Sequence, residues 1–84
     1  KLLFLDEPTA SLDYESTRFV EDSLQQARAS GMAILMVSHN RTQIKRLADR
    51  VLFLARGTIT DDAPAEAFFA QPESRVAQDW LDFA

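Results

Sequence analysis

Two hydrophobic periodicities alternate along the chain and predict strands and helices in turn. Uninterrupted apolar runs occupy residues 2–5, 32–37 and 51–55. Such runs are typical of strands that are buried on both faces of a parallel sheet. Between the first two runs, Val20, Leu24 and Ala27 recur at helical spacing and predict a helix over Tyr14–Ala29. The alternation therefore predicts βαβ connections and an α/β fold.

Capping and breaking residues bound these elements. Pro8 lacks a backbone donor and ends the first strand. Asp13 is a favourable N-cap for the long helix, and Gly31 suits the left-handed residue that closes it. Asn40 follows the second strand and is expected to cap a shorter helix, with Gln43 as its capping-box partner.

The last third of the chain predicts a hairpin followed by two short helices. A turn at residues 56–57 is expected to lead the third strand back into residues 58–60. The acidic pair at 61–62 and Pro64 then predict the start of a helix, and Pro72 starts another. The aromatic side chains that we expect to pack this tail onto the sheet are Phe68, Phe69, Trp80 and Phe83.

Composition narrows the class of protein. With 84 residues, of which 46% are hydrophobic, the chain has room for one small domain or a piece of a larger one. A net charge of −4 argues against binding to nucleic acid. The absence of cysteine excludes disulfides and thiolate metal sites and favours a cytosolic compartment. No apolar run approaches the roughly 20 residues that a membrane-spanning helix needs.

Two carboxylates follow the first strand, where chemistry is expected in an α/β protein. Ligands bind beyond the carboxyl ends of parallel strands, and Asp6 and Glu7 lie there. Because successive side chains of a strand point to opposite faces, the two acids serve different partners, one a metal ion and the other an attacking water. His39, the single histidine, follows the second strand and is expected at the same edge of the sheet.

The first part of the chain resembles the Walker B strand and D-loop of the ATP-binding cassette (ABC) ATPases. The matching residues are the apolar run 2–5, the pair Asp6-Glu7, the turn Pro8-Thr9 and the loop Ser11-Leu12-Asp13. The strand, Ser-His pair and capped helix around His39 resemble the H-loop of the same family. The resemblance implies a partial P-loop NTPase (RecA-like) parallel sheet flanked by helices, with a C-terminal β-hairpin and short helices.

The resemblance also implies a role for each matching residue. Asp6 would hold Mg²⁺ through water, and Glu7 would act as the general base that polarises the attacking water. His39 would contact the γ-phosphate of ATP and help to hold the geometry of attack. Ser11 and Asp13 would cross a dimer interface to the opposite nucleotide site. Asp13 is also a helix cap, and the two roles are compatible.

The chain departs from the family pattern at two positions and lacks several motifs. Asn40 stands where the family often has Asp, and Tyr14 where it frequently has Pro, and neither change removes chemistry. The phosphate-cradling loop needs two glycines separated by four residues, and the ABC signature needs two adjacent glycines. Gly31 and Gly57 are the only glycines, so both motifs are absent. We therefore expect residues 1–84 to be the C-terminal part of one nucleotide-binding domain, with these motifs and the Gln loop upstream.

The implied activity of the intact protein is hydrolysis of MgATP in a head-to-tail dimer that powers solute transport. Implied partners are transmembrane permease subunits, a second nucleotide-binding domain and, in importers, a solute-binding protein. The implied location is the cytoplasmic face of the membrane, and the 84 residues alone are expected to be inactive. Two alternatives stay open: an ABC-class ATPase of DNA repair or chromosome maintenance, which would show coiled-coil heptads, and a non-catalytic interaction fragment.

The free 84-residue chain is predicted not to be a stable native-like monomer. In the fold that the sequence resembles, an upstream strand separates strands 32–37 and 51–55, which leaves them about 10 Å apart instead of roughly 4.8 Å. Each strand would expose unpaired backbone groups on an apolar edge, which is a template for association. The free chain is expected to swap strands, to oligomerise, or to close the gap by re-pairing strand 51–55 directly, and light scattering together with amide exchange tests this. A monodisperse monomer with strong protection along both strands and the gap still open would contradict the prediction.

Overall fold

The computed structural model describes residues 1–83, which form one compact unit over Lys1–Asn40 and a second that begins at Arg41. The first unit contains β1 (Leu2–Asp6), α1 (Tyr14–Ala29) and β2 (Ala33–Val37). The second contains α2 (Arg41–Leu47), β3 (Arg50–Ala55), β4 (Thr58–Pro64), α3 (Ala65–Ala70) and α4 (Arg75–Phe83). The four described strands form two separate sheets, one parallel and one antiparallel. This confirms the predicted α/β class with a C-terminal hairpin. None of the helices within residues 1–83 is long and apolar enough to cross a bilayer.

A βαβ arrangement builds the first unit. β1 and β2 are parallel and pair in register, from Leu2 opposite Ala33 to Asp6 opposite Val37. α1 connects them, spans the predicted residues and contacts β2. Gly31 follows the helix with a φ of 98°, a left-handed conformation that glycine adopts at no steric cost. The capping signals in the sequence therefore located both ends of this helix.

One face of the parallel sheet is exposed. Leu3 and Leu5 are half-buried, whereas Leu2 and Phe4 are 68% and 58% exposed. Leu35 and Val37 of β2 are exposed as well. The prediction that these strands are buried on both faces is therefore wrong for β1 and β2. Side chains alternate between the two faces of a strand, and the first unit has a single helix, which can cover only one of them.

β3 and β4 form the predicted hairpin, but the second strand is longer than expected. Arg56 and Gly57 have positive φ angles of 53° and 76°, as in the two-residue turns whose twist suits antiparallel strands. The register shifts between Phe53 and Leu54, so that Thr60 is an extra residue in β4. The strand then continues to Pro64 rather than ending at residue 60.

The acidic pair lies in β4 and not at the start of a helix. Asp61 and Asp62 pair with residues of β3, so α3 begins only at Ala65, with Pro64 in its N-cap position. The predicted helix start at residues 61–62 is therefore wrong. Pairing with β3 satisfies backbone donors that the first turn of a helix would leave without a partner.

The buried apolar side chains cluster in the second unit. They are Val51, Ala65, Phe68 and Ala77. The ring of Phe68, which is 1% exposed, stacks on Phe53 at 5.9 Å and meets Phe69 edge-on at 5.3 Å. Trp80 packs against Phe53 with ring centres 5.6 Å apart. Three of the four predicted aromatic residues thus pack in this unit.

Phe83 is the exception among the predicted packing residues, because it is 91% exposed. It lies six residues after the fully buried Ala77 in α4. At about 100° per residue, this separation turns Phe83 well away from the face that Ala77 buries. α4 also begins at Arg75 and not at the predicted Pro72, since the Ser74 hydroxyl accepts the Ala77 N–H at 3.1 Å, as an N-cap does.

A buried carboxylate ties β4 to the start of α4. Asp61 is 5% exposed and accepts hydrogen bonds from the Ser74 N–H at 3.0 Å, the Thr60 hydroxyl at 2.7 Å and the Ser74 hydroxyl. Burial raises the pKa of Asp61, but these hydrogen bonds outweigh burial and hold the pKa below its ordinary value. The carboxylate is therefore ionised and fully engaged at neutral pH.

Replacing Asp61 with Ala is predicted to lower the free energy of unfolding of the second unit by about 1–3 kcal/mol, because the Ser74 donors lose their acceptor. Asp62→Ala is the matched control, since that exposed carboxylate pairs with Arg50 on the surface and contributes less than about 1 kcal/mol. Fluorescence of Trp80, the single tryptophan, follows unfolding in urea. Equal losses in the two variants would contradict a structural role for Asp61.

The same hydrogen bonds predict a pH dependence. Because the pKa of Asp61 is lowered in the folded state, its contribution is complete above the ordinary carboxylate pKa of about 3.9. The contribution is lost as the pH falls through the lower folded pKa. Urea midpoints are expected to fall more steeply at acid pH for the wild type than for Asp61→Ala.

Candidate functional site

The ends of β1 and β2 bring Glu7 and His39 together. Glu7 Oε1 lies 2.5 Å from His39 Nδ1 and also accepts a hydrogen bond of 2.8 Å from the His39 N–H. β1 ends at Asp6 and β2 at Val37, so both side chains follow neighbouring strands at the same edge of the parallel sheet. The proximity predicted from the sequence is confirmed.

The Glu7 side chain replaces the carbonyl of Glu7 in the hydrogen-bond ladder. The Glu7 N–H donates to the Val37 carbonyl at 2.8 Å, which extends the parallel pairing by one bond. The next bond of a regular ladder would run from the His39 N–H to the Glu7 carbonyl. Glu7 instead has a φ of 49°, and its carbonyl accepts the Ala10 N–H at 3.1 Å. The carboxylate takes the His39 N–H in its place.

This arrangement accounts for the strained backbone at Glu7. A left-handed non-glycine residue costs about 1 kcal/mol or more. At Glu7 the cost is offset by hydrogen bonds to Val37, Ala10 and His39. The strain is therefore supported by the surrounding structure, and it fixes the direction of the carboxylate.

The contact also determines which nitrogen of His39 is left for a ligand. An ionised carboxylate oxygen only accepts hydrogen bonds, so the proton of this contact lies on Nδ1. Nε2 is then the nitrogen that remains for another partner. The His39 side chain is 85% exposed, against 32% for Glu7, so a ligand can reach the ring from solvent.

Asp6 is an exposed carboxylate at the last position of β1. Within residues 1–83, no three His, Asp or Glu side chains are grouped closely enough to hold a metal ion. Mg²⁺ in phosphate-handling enzymes keeps several waters and uses one or two carboxylates together with phosphate oxygens. A single exposed carboxylate beside Glu7 therefore fits a Mg²⁺ site that a nucleotide completes.

Ser11 and Asp13 lie in the loop after β1 and take no part in the contact between Glu7 and His39. Ser11 is exposed and has a φ of 68°. The Asp13 carboxylate accepts the Ser16 N–H at 2.7 Å, which confirms the predicted N-cap of α1. Hydrogen bonds from the Ser16 N–H and hydroxyl lower the pKa of Asp13. The structure therefore accounts for Asp13 as a helix cap.

The sequence did not indicate that the main chain of His39 holds Glu7. It also did not single out Ser38, whose hydroxyl oxygen accepts the Asn40 N–H at 3.1 Å. The only available signal was a serine directly before the histidine and two residues before the expected helix cap. α2 begins at Arg41, as the prediction of a cap at Asn40 required.

The chain is similar to curated proteins over nearly its whole length. The glutamate transport ATP-binding protein GluA of Corynebacterium efficiens is 38% identical over 81 residues, 96% of this chain and 34% of the relative. The uncharacterized amino-acid ABC transporter ATP-binding protein YhdZ of Escherichia coli is 38% identical over 81 residues, which are 96% of this chain and 32% of the relative. The phosphate import ATP-binding protein PstB 2 of Natronomonas pharaonis is 32% identical over 80 residues, which are 95% of this chain and 28% of the relative. No protein-family model matches the chain.

These relatives are all transport ATP-binding proteins. Over 96% of its length the chain is similar to ABC transporter ATP-binding proteins, which confirms the resemblance carried by its Walker B, D-loop and H-loop motifs. It spans about a third of the length of the curated relatives that it matches.

Replacing Asp13 with Ala is predicted to fray the first turn of α1, because the Ser16 N–H loses its acceptor. Asp13→Asn is the control, since an amide oxygen caps a helix as well as a carboxylate does. Amide exchange at Ser16 is expected to accelerate in the Ala variant and to stay near the wild-type rate in the Asn variant. Unchanged exchange in Asp13→Ala would contradict the capping role.

Proposed function

We propose that residues 1–84 are the C-terminal part of one nucleotide-binding domain, and that the intact protein hydrolyses MgATP to power solute transport across a membrane. The observation that carries the proposal is the meeting of Glu7 and His39, beside Asp6, at the carboxyl ends of two parallel strands. The similarity to transport ATP-binding proteins supports the same assignment.

Phosphoryl transfer to water needs a positioned nucleophile, a proton acceptor and stabilisation of charge on the phosphate. We assign proton acceptance to Glu7, whose carboxylate is already held by His39 and so requires little reordering during the reaction. We assign to His39 a hydrogen bond from Nε2–H to the γ-phosphate. Because Nδ1–H is already donated to Glu7, this contact uses the ring protonated at both nitrogens. Asp6 would hold Mg²⁺ through water, and the ion supplies charge neutralisation at the phosphates when it is bound with ATP.

The remaining parts of the site must come from other residues. The chain contains neither a phosphate-cradling loop nor an ABC signature, because its only glycines are Gly31 and Gly57. We propose that the first motif is supplied by the rest of the same domain and the second by a partner domain in a head-to-tail dimer. Ser11 and Asp13, on the loop after β1, would face that partner. The 84-residue chain by itself would then be inactive.

The names of the relatives support a proposal for the partners and the substrate. Their names specify transport of glutamate or of unspecified amino acids and import of phosphate, and the named substrates are small and polar. We propose a substrate of this class for the intact protein, and an importer that combines permease subunits with a solute-binding protein. The ATP-binding subunit would lie at the cytoplasmic face of the membrane as a peripheral protein.

Replacing Glu7 with Gln in the intact protein is predicted to preserve ATP binding and to lower kcat by at least about 100-fold. The Gln amide oxygen still accepts the His39 N–H, so the strand ends stay in place, but the amide does not accept a proton from water. Steady-state ATPase assays and nucleotide titration measure the two effects separately.

Glu15→Gln is the matched control, since Glu15 is an exposed acid in the first turn of α1. Its kcat is expected to equal that of the wild type. The 84-residue chain alone serves as the blank and is expected to show no turnover. Wild-type activity in Glu7→Gln would remove Glu7 from the role of general base.

A further inference from the structure

The contact between Glu7 and His39 depends on the conformation of residues 38–40. His39 directs both its main-chain N–H and its ring Nδ1 to the same oxygen, Glu7 Oε1. Both donors reach one atom only when the peptide before His39 and the side-chain rotamer of His39 are fixed together. Rotation of that peptide alone would break one of the two contacts, so something must hold it.

Ser38 is placed to do this. Its hydroxyl oxygen accepts the Asn40 N–H at 3.1 Å. A serine side chain that accepts the N–H two residues further on closes a turn around the residue between them, which here is His39. The turn restricts the backbone dihedrals of Ser38 and His39. It leaves the His39 N–H outside the turn, where the Glu7 carboxylate accepts it.

We propose that Ser38 is a positioning residue of the site, whose hydroxyl holds the main chain of residues 38–40 and thereby sets both His39 donors on Glu7. Ser38 acts through His39. The catalytic importance of the contact between Glu7 and His39 rests on the proposed function, but the positioning of His39 by Ser38 does not. The positioning and the function are therefore tested separately.

The main chain and the ring of His39 hold Glu7 in different ways. The N–H of residue 39 holds the Glu7 carboxylate, and any residue except proline supplies that group. The imidazole adds the second contact and determines which nitrogen carries the proton. His39→Ala is therefore expected to keep the residue-39 amide bonded to Glu7, whereas Ser38→Ala is expected to loosen it.

The single histidine makes the test direct. Labelling with ¹⁵N-histidine gives one labelled ring and one labelled amide. The ring nitrogen shifts distinguish the Nδ1–H from the Nε2–H tautomer of the neutral ring, and they are read at a pH above which they no longer change. The measurement works in solution and, by solid-state methods, on a sedimented sample. Self-association of the chain therefore does not prevent it.

The variants isolate the hydroxyl. Ser38→Thr and Ser38→Val have the same shape and differ only in whether an oxygen can accept the Asn40 N–H, and Ser38→Ala removes it with less bulk. Ser30→Ala is the matched control, because the Ser30 hydroxyl also bonds to the main chain, donating to the Ala27 carbonyl at 2.8 Å after α1.

We expect two results in the wild type, Ser38→Thr and Ser30→Ala. The His39 ring carries its proton on Nδ1, and the amide of residue 39 is protected from exchange. Ser38→Ala and Ser38→Val are expected to show a mixture with the Nε2–H tautomer and amide exchange about five-fold faster, as for the loss of one hydrogen bond. A role for Ser38 confined to the start of α2 would not move the proton on the ring.

Wild-type tautomer and protection in the Val variant would overturn the proposal, and the comparison of Thr with Val decides it even if the Ala variant does not fold. In the intact protein, Ser38→Ala is expected to lower kcat about five-fold with little change in KM, and Ser38→Thr to restore it. A shifted tautomer without any change in kcat would support the positioning role and contradict the proposed function.

Discussion

The site depends on one irregular hydrogen bond at the end of the parallel ladder, in which a side-chain carboxylate takes the place of a backbone carbonyl. Glu7 turns into a left-handed conformation after β1, and its own carbonyl bonds to Ala10. Its carboxylate then accepts the N–H of His39 from the neighbouring strand end. The two strand ends are thus joined through the side chain that we assign as the proton acceptor. The pairing of β1 with β2 therefore also places that carboxylate.

The second unit contains a carboxylate in a similar bonding arrangement but in a different environment. Asp61 accepts hydrogen bonds from Ser74 and Thr60 and is nearly inaccessible to solvent, so its acceptor capacity serves the fold. Glu7 is about one-third exposed, and its partner ring is open to solvent. Exposure therefore separates the two acids: the buried one stabilises a junction between elements, whereas the accessible one can meet a ligand.

In the proposed function, residues 1–84 would carry one side of the chemistry that phosphoryl transfer requires. The carboxylates and the histidine at the strand ends suit the metal ion, the water and the transferring phosphate, which is the basis of the proposed function. Nothing in the sequence matches a loop that would cradle the other phosphates. The chain is similar to ABC transporter ATP-binding proteins and spans about a third of their length.

Local signals in the sequence were sufficient for β1, for α1 with its caps at Asp13 and Gly31, and for the meeting of Glu7 and His39 at one edge. Apolar runs, helical spacing and capping residues act over a few positions, and parallel strands necessarily end at a common edge. Only the tertiary structure decided the rest. Pairing with β3 drew the acidic pair at 61–62 into β4, and a single helix left one face of the parallel sheet exposed. The exchange of carbonyl for carboxylate at Glu7 needed a donor 32 residues away, and no local pattern encodes such a contact.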